Sequence, residues 1–461
     1  MIKLPVEFES RMKTMLGTDY DSFINCYSLP PVRGLRVNTL KISKDDFLKL
    51  CPWETKQADT LDEGLILLRE AEHIGTHPYH IAGLFYMQEP SAMSVIDRAD
   101  IRPSMRVLDM CAAPGGKSGG VAARMSGSGV IVSNEIVPSR AKLLAQNLER
   151  LGVMNSVVTC ARPDVISSAF PQYFDRVLVD APCSGEGMFR KDETAIAEWS
   201  PEHVRTCALR QRAILESAAE CVIVGGKLIY STCTFSYEEN EGVIESFLNE
   251  HQEFELECMD RLYPHTSYGE GHFVARLVRI DDESGSNHAR RSAAEAPRKH
   301  GGSGSPVPFA CSIDKKSFSI VHSFLEDTFM RTPNEHELLP RTHLTDDGRV
   351  LYVPFEIGSA VKKLRIISFG TEIGSICKGR LKPSHSIFMC SKGFTARNGV
   401  YLSSDCAEMR TFLSGNVISV DKSLKGYLPV YADGFTVGFG KAVDGTLKNH
   451  LPKGLRVASL R

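Results

Sequence analysis

The stretch VLDMCAAPGGKS, residues 107–118, joins a short apolar run to a glycine-rich turn and the first residues of a helix. Such a turn brings backbone N–H groups and a helix N-terminus against a ligand. It matches neither the phosphate-binding P-loop, because Cys111 stands where the first glycine is needed, nor the G-x-G-x-x-G pattern of a dinucleotide site. S-adenosylmethionine, which also needs close backbone approach but brings no phosphates, is the third candidate ligand.

Around this turn, residues 102–280 alternate short apolar runs with helical segments. This alternation is typical of a parallel sheet with crossover helices, so the sequence predicts an α/β fold. Helices are predicted from Pro138 to Gly152 and from Pro201 to the glycines at 225 and 226. The predicted strands are 106–110, 130–134, 157–159, 176–180 and 227–231, with 272–279 returning as a hairpin strand.

Three acids follow the ends of predicted strands, where open parallel sheets bind their ligands. Glu135 lies about 20 residues after the glycines, the place of an acid that accepts from ribose hydroxyls. Asp164 follows the third strand and suits an adenine amino group. Asp180 ends the fourth strand, where it could also be the magnesium-binding acid of an NTPase, so that alternative stays open.

Two of the thirteen cysteines, Cys183 and Cys233, follow neighbouring predicted strands and should face one crevice. A partly exposed thiolate near positive charge can act as a nucleophile. The odd number, the wide scatter and the lack of a Cys-x-x-Cys pair argue against a disulfide framework and a zinc site. We therefore expect free cysteines and no metal.

The composition sets limits on the whole chain. With 461 residues, about three domains are expected. A formal charge of −2, from 54 Lys and Arg against 56 Asp and Glu, excludes a protein that is basic throughout, so a nucleic-acid surface must be local. The first residues lack a signal-peptide core, and no apolar run reaches the ~18–20 residues that span a bilayer. We expect a soluble, cytoplasmic protein.

Three long motifs together carry a family resemblance. Residues 109–118, 177–187 (VLVDAPCSGEG) and 230–241 (YSTCTFSYEENE) resemble the Nop/Sun family of RNA cytosine-C5 methyltransferases, which use S-adenosylmethionine. The stretches at 36–40, 86–91, 261–265 and 269–273 agree with it. Shorter motifs at 379–385 and 447–456 resemble the bacterial RsmF-like branch, which methylates 16S ribosomal RNA. The resemblance implies a Rossmann-like class I methyltransferase with a mixed seven-stranded sheet.

The resemblance also implies the roles of the candidate residues. Cys233, of the Thr-Cys motif, would attack cytosine C6 because C5 by itself is a weak nucleophile. Cys183, of the Pro-Cys motif, would assist product release, and Asp180 would hydrogen-bond the cytosine N3 edge. The implied contacts with S-adenosylmethionine are Cys111, Ala112, Ala113, Pro114, Gly115, Gly116, Lys117, Glu135, Arg140, Asp164 and Asp180.

The chain is predicted to contain several units. They are an N-terminal RNA-contacting module (1–92), the methyltransferase domain (93–280), a flexible linker (281–305), an intermediate C-terminal domain (306–370) and a PUA-like β-barrel RNA-binding domain (371–461). The linker lacks large apolar residues and ends in GGSGS. Truncation near residue 300 is therefore expected to leave cofactor binding intact.

The RNA-binding surface is expected in two regions. The N-terminal module carries Arg33, Arg36, Asn38 and Lys41. At the C-terminal end, residues 373–404 hold five Lys or Arg and no acid, and residues 421–461 carry a net charge of +4. The target base must leave its stack to reach the crevice.

The expected partner is ribosomal RNA or the small ribosomal subunit, bound by a monomer without a membrane or a metal. Three alternatives stay open: an RNA-binding or ribosome-assembly protein with an inactive methyltransferase fold, a methyltransferase acting on tRNA, and a P-loop NTPase. Intact motifs argue against the inactive fold.

Overall fold

A computed structural model describes residues 3–281, 310–390 and 393–457. Apart from Asp281, the predicted linker lies outside these ranges. None of the helices within them combines the length and apolarity that crossing a membrane requires.

The N-terminal unit, residues 3–98, contains a four-stranded antiparallel sheet in the order β2-β3-β1-β4. Helix α3 begins at a serine cap, because the Ser43 side chain accepts a hydrogen bond from the backbone N–H of Asp46. The elements are α1 (Val6–Leu16), α2 (Tyr20–Asn25), β1 (Gly34–Val37), α3 (Lys44–Leu50), β2 (Thr55–Gln57), β3 (Gly64–Leu67), α4 (Pro78–Ile81), β4 (Phe85–Met87) and α5 (Ser94–Arg98).

The central unit, residues 106–279, alternates strands and helices as the sequence predicts. Helix α7 begins at Pro138 and buries Leu144 and Leu148, which lie four residues apart on one face. The elements are β5 (Arg106–Asp109), α6 (Gly116–Met125), β6 (Val130–Asn134), α7 (Pro138–Arg150), β7 (Ser156–Thr159), α8 (Pro163–Ala169), β8 (Phe174–Asp180), α9 (Glu193–Glu198), α10 (Pro201–Cys221), β9 (Val222–Thr232), α11 (Glu241–Glu250), β10 (Phe254–Leu262) and β11 (His272–Arg279).

The C-terminal part contributes the remaining elements. They are β12 (Ala310–Ser312), α12 (Lys315–Thr328), β13 (Phe329–Arg331), α13 (Glu335–Leu338), β14 (Thr342–Thr345), β15 (Arg349–Tyr352), β16 (Ile366–Phe369), β17 (Thr371–Cys377), β18 (Arg380–Pro383), α14 (His385–Met389), β19 (Thr395–Ala396), β20 (Val400–Leu402), α15 (Ala407–Leu413), β21 (Ile418–Ser419), β22 (Gly426–Ala432), β23 (Phe435–Val443) and β24 (Thr446–Asn449).

The central sheet has eight strands, in the order β10-β11-β9-β8-β5-β6-β7-β16. Strands β9, β8, β5, β6 and β7 are parallel neighbours, and β10 and β11 run antiparallel beside β9. Seven strands thus come from the central unit. The eighth, β16, belongs to the C-terminal part and pairs antiparallel with β7.

Two local predictions need correction. Helix α10 ends at Cys221, several residues before the glycines expected to stop it. The pairing of β8 with β9 jumps from Val222 to Lys227, so Gly225, with φ +76°, belongs to an irregularity inside β9. The sequence does not predict strand β10, because the exposed residues of this strand break the apolar run.

The C-terminal part forms two five-stranded sheets. The first has the order β12-β14-β15-β17-β18, and the second has the order β20-β22-β23-β24-β21. Because β15 pairs with β17, the domain boundary expected at 370/371 divides the first sheet. Residues 371–383 therefore pack with the segment before them, whereas the curled second sheet begins near residue 400.

These units share their hydrophobic cores. Phe355, Val361 and Phe369 belong to the core cluster that holds β8 and α10 of the central unit. A second cluster joins the N-terminal sheet to the second C-terminal sheet, with Leu35 and Val430 among its members. The C-terminal part therefore supports both earlier units.

Three of the four polar residues expected to contact RNA from the N-terminal unit are interface residues instead. Arg36 and Asn38 are only 3% exposed, and Arg36 donates to the backbone oxygen of Gly116. The Asn38 amide donates to the backbone oxygens of Gly83 and Leu151, at 2.8 Å each. The Lys41 ammonium lies 2.9 Å from the backbone oxygen of Arg150.

Candidate active site

The turn between β5 and α6 is built as its sequence predicts. Gly115 has φ +109°, which only glycine adopts without strain, and α6 starts at the next residue. The first N–H groups of a helix have no intrahelical partner and are free to meet a ligand. Below the turn, the buried carboxylate of Asp109 accepts a hydrogen bond from the Ser118 hydroxyl at 2.6 Å. Burial raises the pKa of Asp109 to about 6.

The glycines that follow the turn also serve packing within the protein. A Cβ atom on Gly116 would lie 3.1 Å from the ring of Tyr86, in the N-terminal unit. A Cβ on Gly120 would lie 2.2 Å from the Ile96 side chain. The sequence analysis assigned Gly116 to the ligand alone and made no assignment for Gly120. The structure shows that they also let α6 approach the N-terminal unit closely.

Glu135 and Arg140 lie beside this turn. The Glu135 side chain is 4% exposed, and its carboxylate lies 3.4 Å from the Arg140 guanidinium. The same guanidinium donates to the backbone oxygen of Ala113 at 3.0 Å. Glu135, Arg140 and the turn at 111–117 thus form one continuous surface, which is called the cofactor cradle below.

Asp164 stands apart from this cradle. Its carboxylate pairs with the guanidinium of Arg162 at 2.5 Å, and its side chain is 54% exposed. The Arg162 guanidinium holds the pKa of Asp164 below its ordinary value. The assignment of Asp164 to an adenine amino group therefore remains a prediction.

Lys117 reaches Asp180 from the first turn of α6. Its ammonium lies 2.7 Å from the Asp180 carboxylate, which also accepts from the Ser231 hydroxyl at 2.9 Å. Burial raises the pKa of Asp180, but the charge of Lys117 and the accepted hydrogen bonds outweigh it, so the net pKa is below the ordinary value. The ion pair thus holds the Lys117 side chain at the end of β8.

The two predicted thiols meet. Cys183 Sγ and Cys233 Sγ lie 3.3 Å apart, and both residues are partly exposed. The hydrogen bond with Cys233, followed by burial, raises the pKa of Cys183 well above its ordinary value. Cys183 is therefore held in its protonated thiol form. The sequence alone could not distinguish the two cysteines.

His272 is a site residue that sequence reasoning did not assign. Its imidazole Nε2 lies 3.8 Å from the Asp180 carboxylate, and its side chain is 3% exposed. Neither ring nitrogen has a hydrogen-bond partner among the described residues. Burial, with the Lys117 charge, lowers its pKa to about 4, so the ring is neutral at neutral pH. Its position within the motif at 269–273 was the only signal in the sequence.

Comparisons with known proteins agree with this geometry. Residues 99–278 match the family of 16S rRNA methyltransferase RsmB/F, residues 4–90 match the N-terminal domain of 16S rRNA methyltransferase RsmF, and residues 401–457 match the RsmF PUA domain. The ribosomal RNA small subunit methyltransferase F of Erwinia tasmaniensis is 31% identical over 481 residues, or 98% of this chain and 96% of its own. This chain belongs to the RsmF family.

Other relatives support the assignment over the full length. The protein of the same name from Vibrio vulnificus is 31% identical over 98% of both chains. The one from Aeromonas salmonicida is 32% identical over 94% of this chain and 93% of its own. This RsmF-family chain is thus an RNA methyltransferase with the family's N-terminal and PUA domains.

Solved structures match the α/β part. A methyltransferase homologue from Pyrococcus horikoshii is 30% identical, with a TM-score of 0.55, over 60% of this chain and 96% of that chain. NSun6 from Pyrococcus horikoshii, solved with SFG, is 22% identical with a TM-score of 0.53 over 60% of this chain, a likeness in fold. The Rossmann-like fold expected from the sequence is confirmed.

The described residues also hold no group of three or more His, Cys, Asp or Glu side chains placed to bind a metal ion. The site of this RsmF-family protein instead offers two thiols, an ion pair and a glycine-lined cradle within one crevice. Such a set suits covalent catalysis on an organic ring.

Proposed function

We propose that this protein methylates C5 of a cytosine in 16S ribosomal RNA, using S-adenosylmethionine and a covalent adduct at Cys233. The observation that carries the proposal is the pair of thiols 3.3 Å apart, just after the ends of β8 and β9, where Asp180 of β8 pairs with Lys117 of α6. The names and full-length similarity of the relatives support the choice of ribosomal RNA.

The cradle residues fit S-adenosylmethionine. The start of α6 offers free N–H groups to a carboxylate, and the Glu135 carboxylate, at the end of β6, can accept from ribose hydroxyls. Cys111 to Lys117 line the turn, and Arg140 steadies Glu135. When bound, the cofactor supplies the methyl group and a positively charged sulfur that makes that group electrophilic.

The cysteines perform the covalent steps. The Cys233 thiolate forms a bond to C6, and the ring electrons shift toward N3, which takes up a proton. C5 is then nucleophilic enough to accept the methyl group. Loss of the C5 proton to a base restores the double bond between C5 and C6, the Cys233 sulfur leaves as a thiolate, and N3 gives back the proton that it took up.

Cys183 suits the role of that base. Its high pKa is caused first by the hydrogen bond with Cys233, and this cause ends once the Cys233 sulfur is bonded to C6. Burial still raises its pKa, so Cys183 first passes its own proton to water, and the resulting thiolate takes the C5 proton. This accounts for a role in product release after the methyl transfer.

Asp180 and Lys117 can select cytosine. An ionised Asp180 accepts a hydrogen bond from the exocyclic amino group, which uracil lacks. Ring N3 is an acceptor and needs a hydrogen-bond donor. The Lys117 ammonium, which lies 2.7 Å from the Asp180 carboxylate, can be that donor. The pair would thereby bind the base edge and supply the proton that N3 takes up.

The C-terminal sheets offer the RNA surface. Lys378, Arg380 and Lys382 are exposed on the hairpin of β17 and β18. On the PUA domain, the exposed cations include Lys422, Lys425, Lys441, Lys448, Lys453 and Arg456. We propose that these residues bind RNA phosphates, with the protein acting as a cytoplasmic monomer on ribosomal RNA or the small subunit.

The test separates the two cysteines. Each variant, Cys233→Ser and Cys183→Ser, is incubated with 16S RNA and S-adenosylmethionine, and the products are separated on a denaturing gel. Cys233→Ser should form neither 5-methylcytosine nor an adduct. Cys183→Ser should methylate once and then remain bound covalently to the RNA. Cys207→Ser, at a buried cysteine of α10, serves as a control.

Two results would contradict the mechanism. An adduct that accumulates in Cys233→Ser and is absent in Cys183→Ser would reverse the roles. Methylation retained in both variants without an adduct would end the covalent mechanism. Bisulfite mapping of 16S RNA from cells with and without the gene tests the substrate, and an unchanged map would refute it.

A further inference from the structure

Two consecutive residues, Glu239 and Asn240, connect the two cysteine loops, which are residues 182–184 around Cys183 and residues 232–234 around Cys233. Both lie between β9 and α11 and are 0% exposed. Neither belongs to the cofactor cradle or to the ion pair. A carboxyl and an amide buried this deeply must have hydrogen-bond partners, since leaving them unpaired is costly. Those partners are the immediate neighbours of the two cysteines.

Glu239 holds both sides of Cys183. Its carboxylate accepts from the Ser184 backbone N–H at 2.9 Å and from the Ser184 hydroxyl. It also accepts from the Gln211 amide at 2.9 Å, and that amide donates to the Pro182 backbone oxygen at 3.0 Å. The residues before and after Cys183 are thus tied to one carboxylate, directly or through Gln211.

Asn240 holds both sides of Cys233 in the same way. Its side-chain oxygen accepts from the Thr232 hydroxyl at 2.6 Å. Its side-chain nitrogen donates to the Thr234 backbone oxygen at 2.9 Å. One amide side chain therefore bridges the residues before and after Cys233.

The contacts around Cys183 and the contacts around Cys233 are joined to each other in two ways. Glu239 and Asn240 are bonded in sequence, so a single peptide unit separates the two groups that hold the cysteine loops. In addition, the Ser184 hydroxyl lies 3.0 Å from the Thr234 hydroxyl, next to the contact between the two sulfurs. The backbone oxygen of Glu239 accepts from the Tyr230 hydroxyl at 2.5 Å, which anchors the segment to β9.

We propose that Glu239 and Asn240 are positioning residues that set the distance between the thiols of Cys183 and Cys233. The catalytic part of this inference rests on the proposed function, since it assigns both thiols to one reaction. A small displacement of reacting atoms can lower a rate about a hundredfold. A fixed spacing would let Cys183 act after Cys233 on the same cytosine, without a movement of the base between the two steps.

The first experiment needs neither RNA nor cofactor. Diamide oxidises two adjacent thiols to a disulfide and takes up their two protons and two electrons. In the wild-type protein, the Cys183–Cys233 disulfide should form quickly, as read by mass spectrometry of peptides. Glu239→Gln and Asn240→Asp preserve size but replace an acceptor or a donor. Both should form this disulfide at least about tenfold more slowly.

A matched control comes from the same segment. Glu238 is 49% exposed, and its carboxylate contacts Arg11 and Ser236 rather than the residues directly before and after either cysteine. Glu238→Gln should therefore oxidise at the wild-type rate. If a buried substitution prevents folding, Ser184→Ala, which deletes only the hydroxyl shared by the two loops, takes its place.

The second experiment measures single-turnover methyl transfer to 16S RNA. Glu239→Gln and Asn240→Asp should be about tenfold to a hundredfold slower, with unchanged affinity for S-adenosylmethionine. Folded variants that oxidise and methylate at wild-type rates would overturn the inference. If the wild-type protein methylates no RNA, the proposed function fails, while the diamide experiment still decides whether the two residues set the spacing.

Discussion

Replacement of Phe369 by alanine tests whether the C-terminal part completes the central sheet. Phe369 is 3% exposed and lies on β16, opposite Val157 of β7. Its ring packs against Phe355, with ring centroids 5.6 Å apart. Both rings belong to the core cluster that contains β8. A residue of the C-terminal part is therefore buried in the core of the methyltransferase fold.

The expected cost follows from this burial. Truncating a buried phenylalanine to alanine removes apolar contacts and leaves a cavity, which costs about 3–5 kcal/mol. Backbone hydrogen bonds at both ends of β16 also couple it to β7. The Cys160 N–H donates to the Arg365 oxygen and the Gly370 N–H donates to the Ser156 oxygen, each at 2.9 Å. The loss should therefore destabilise β7 as well as β16.

Urea unfolding and hydrogen exchange measure this effect. Phe369→Ala should lower the free energy of unfolding by about 3–5 kcal/mol and speed amide exchange in residues 156–159. Met330→Ala, at a side chain that is 65% exposed, should change the free energy of unfolding by less than about 0.5 kcal/mol. Unchanged exchange in 156–159 would refute the reasoning.

The pairing of β16 with β7 argues against the expectation that truncation near residue 300 leaves cofactor binding intact. Removal of everything after residue 300 would expose the edge of β7 and the apolar side chains that β16 and Phe355 cover. The truncated protein should therefore lose stability and cofactor affinity together. Wild-type affinity for S-adenosylmethionine in a folded truncation would favour independent domains instead.

Three further predictions concern single residues. Glu135→Gln should weaken S-adenosylmethionine binding tenfold or more, from losing a charge-assisted hydrogen bond of about 1.5–3 kcal/mol, and calorimetry showing an unchanged Kd would contradict it. Burial and the Lys117 charge lower the pKa of His272 to about 4, whereas the unfolded chain titrates near 6.5 and so binds this proton more readily. The free energy of unfolding should therefore fall as the pH drops from 6.5 toward 4. In His272→Phe, the urea midpoint should change less between pH 7 and pH 5 than it does in the wild-type protein. Arg33→Ala should weaken RNA binding and its salt dependence, whereas Arg36→Met should lower stability without altering the salt slope.

Much of the fold was predictable because local patterns specify it. The turn at 107–118 depends on glycine conformations and helix-start residues, and both occur within a few positions. Strands buried on both faces read as apolar runs whatever surrounds them. The exposed face of β10 and the glycine irregularity in β9 escaped prediction, because neither leaves a periodic apolar signal.

The candidate site was predictable to a similar degree. Glu135, Asp180 and the two cysteines follow strand ends, and the ends of parallel strands meet at one edge. The pairing of Lys117 with Asp180, the burial of His272 and the exposure of Asp164 were not predictable, because each depends on residues distant in the chain.

The sequence by itself determined the class of chemistry and the order of the units, since motifs of ten or more residues specify both a turn and its reactive groups. Only the tertiary structure decided how the units depend on one another. Arg36, which the sequence assigns to an RNA surface, is a buried interface residue. Strand β16 is the eighth strand of the central sheet and pairs with β7, about 200 residues earlier in the chain. The physical reason is that burial and strand pairing arise from contacts between distant segments, whereas helix starts and turns arise from neighbours.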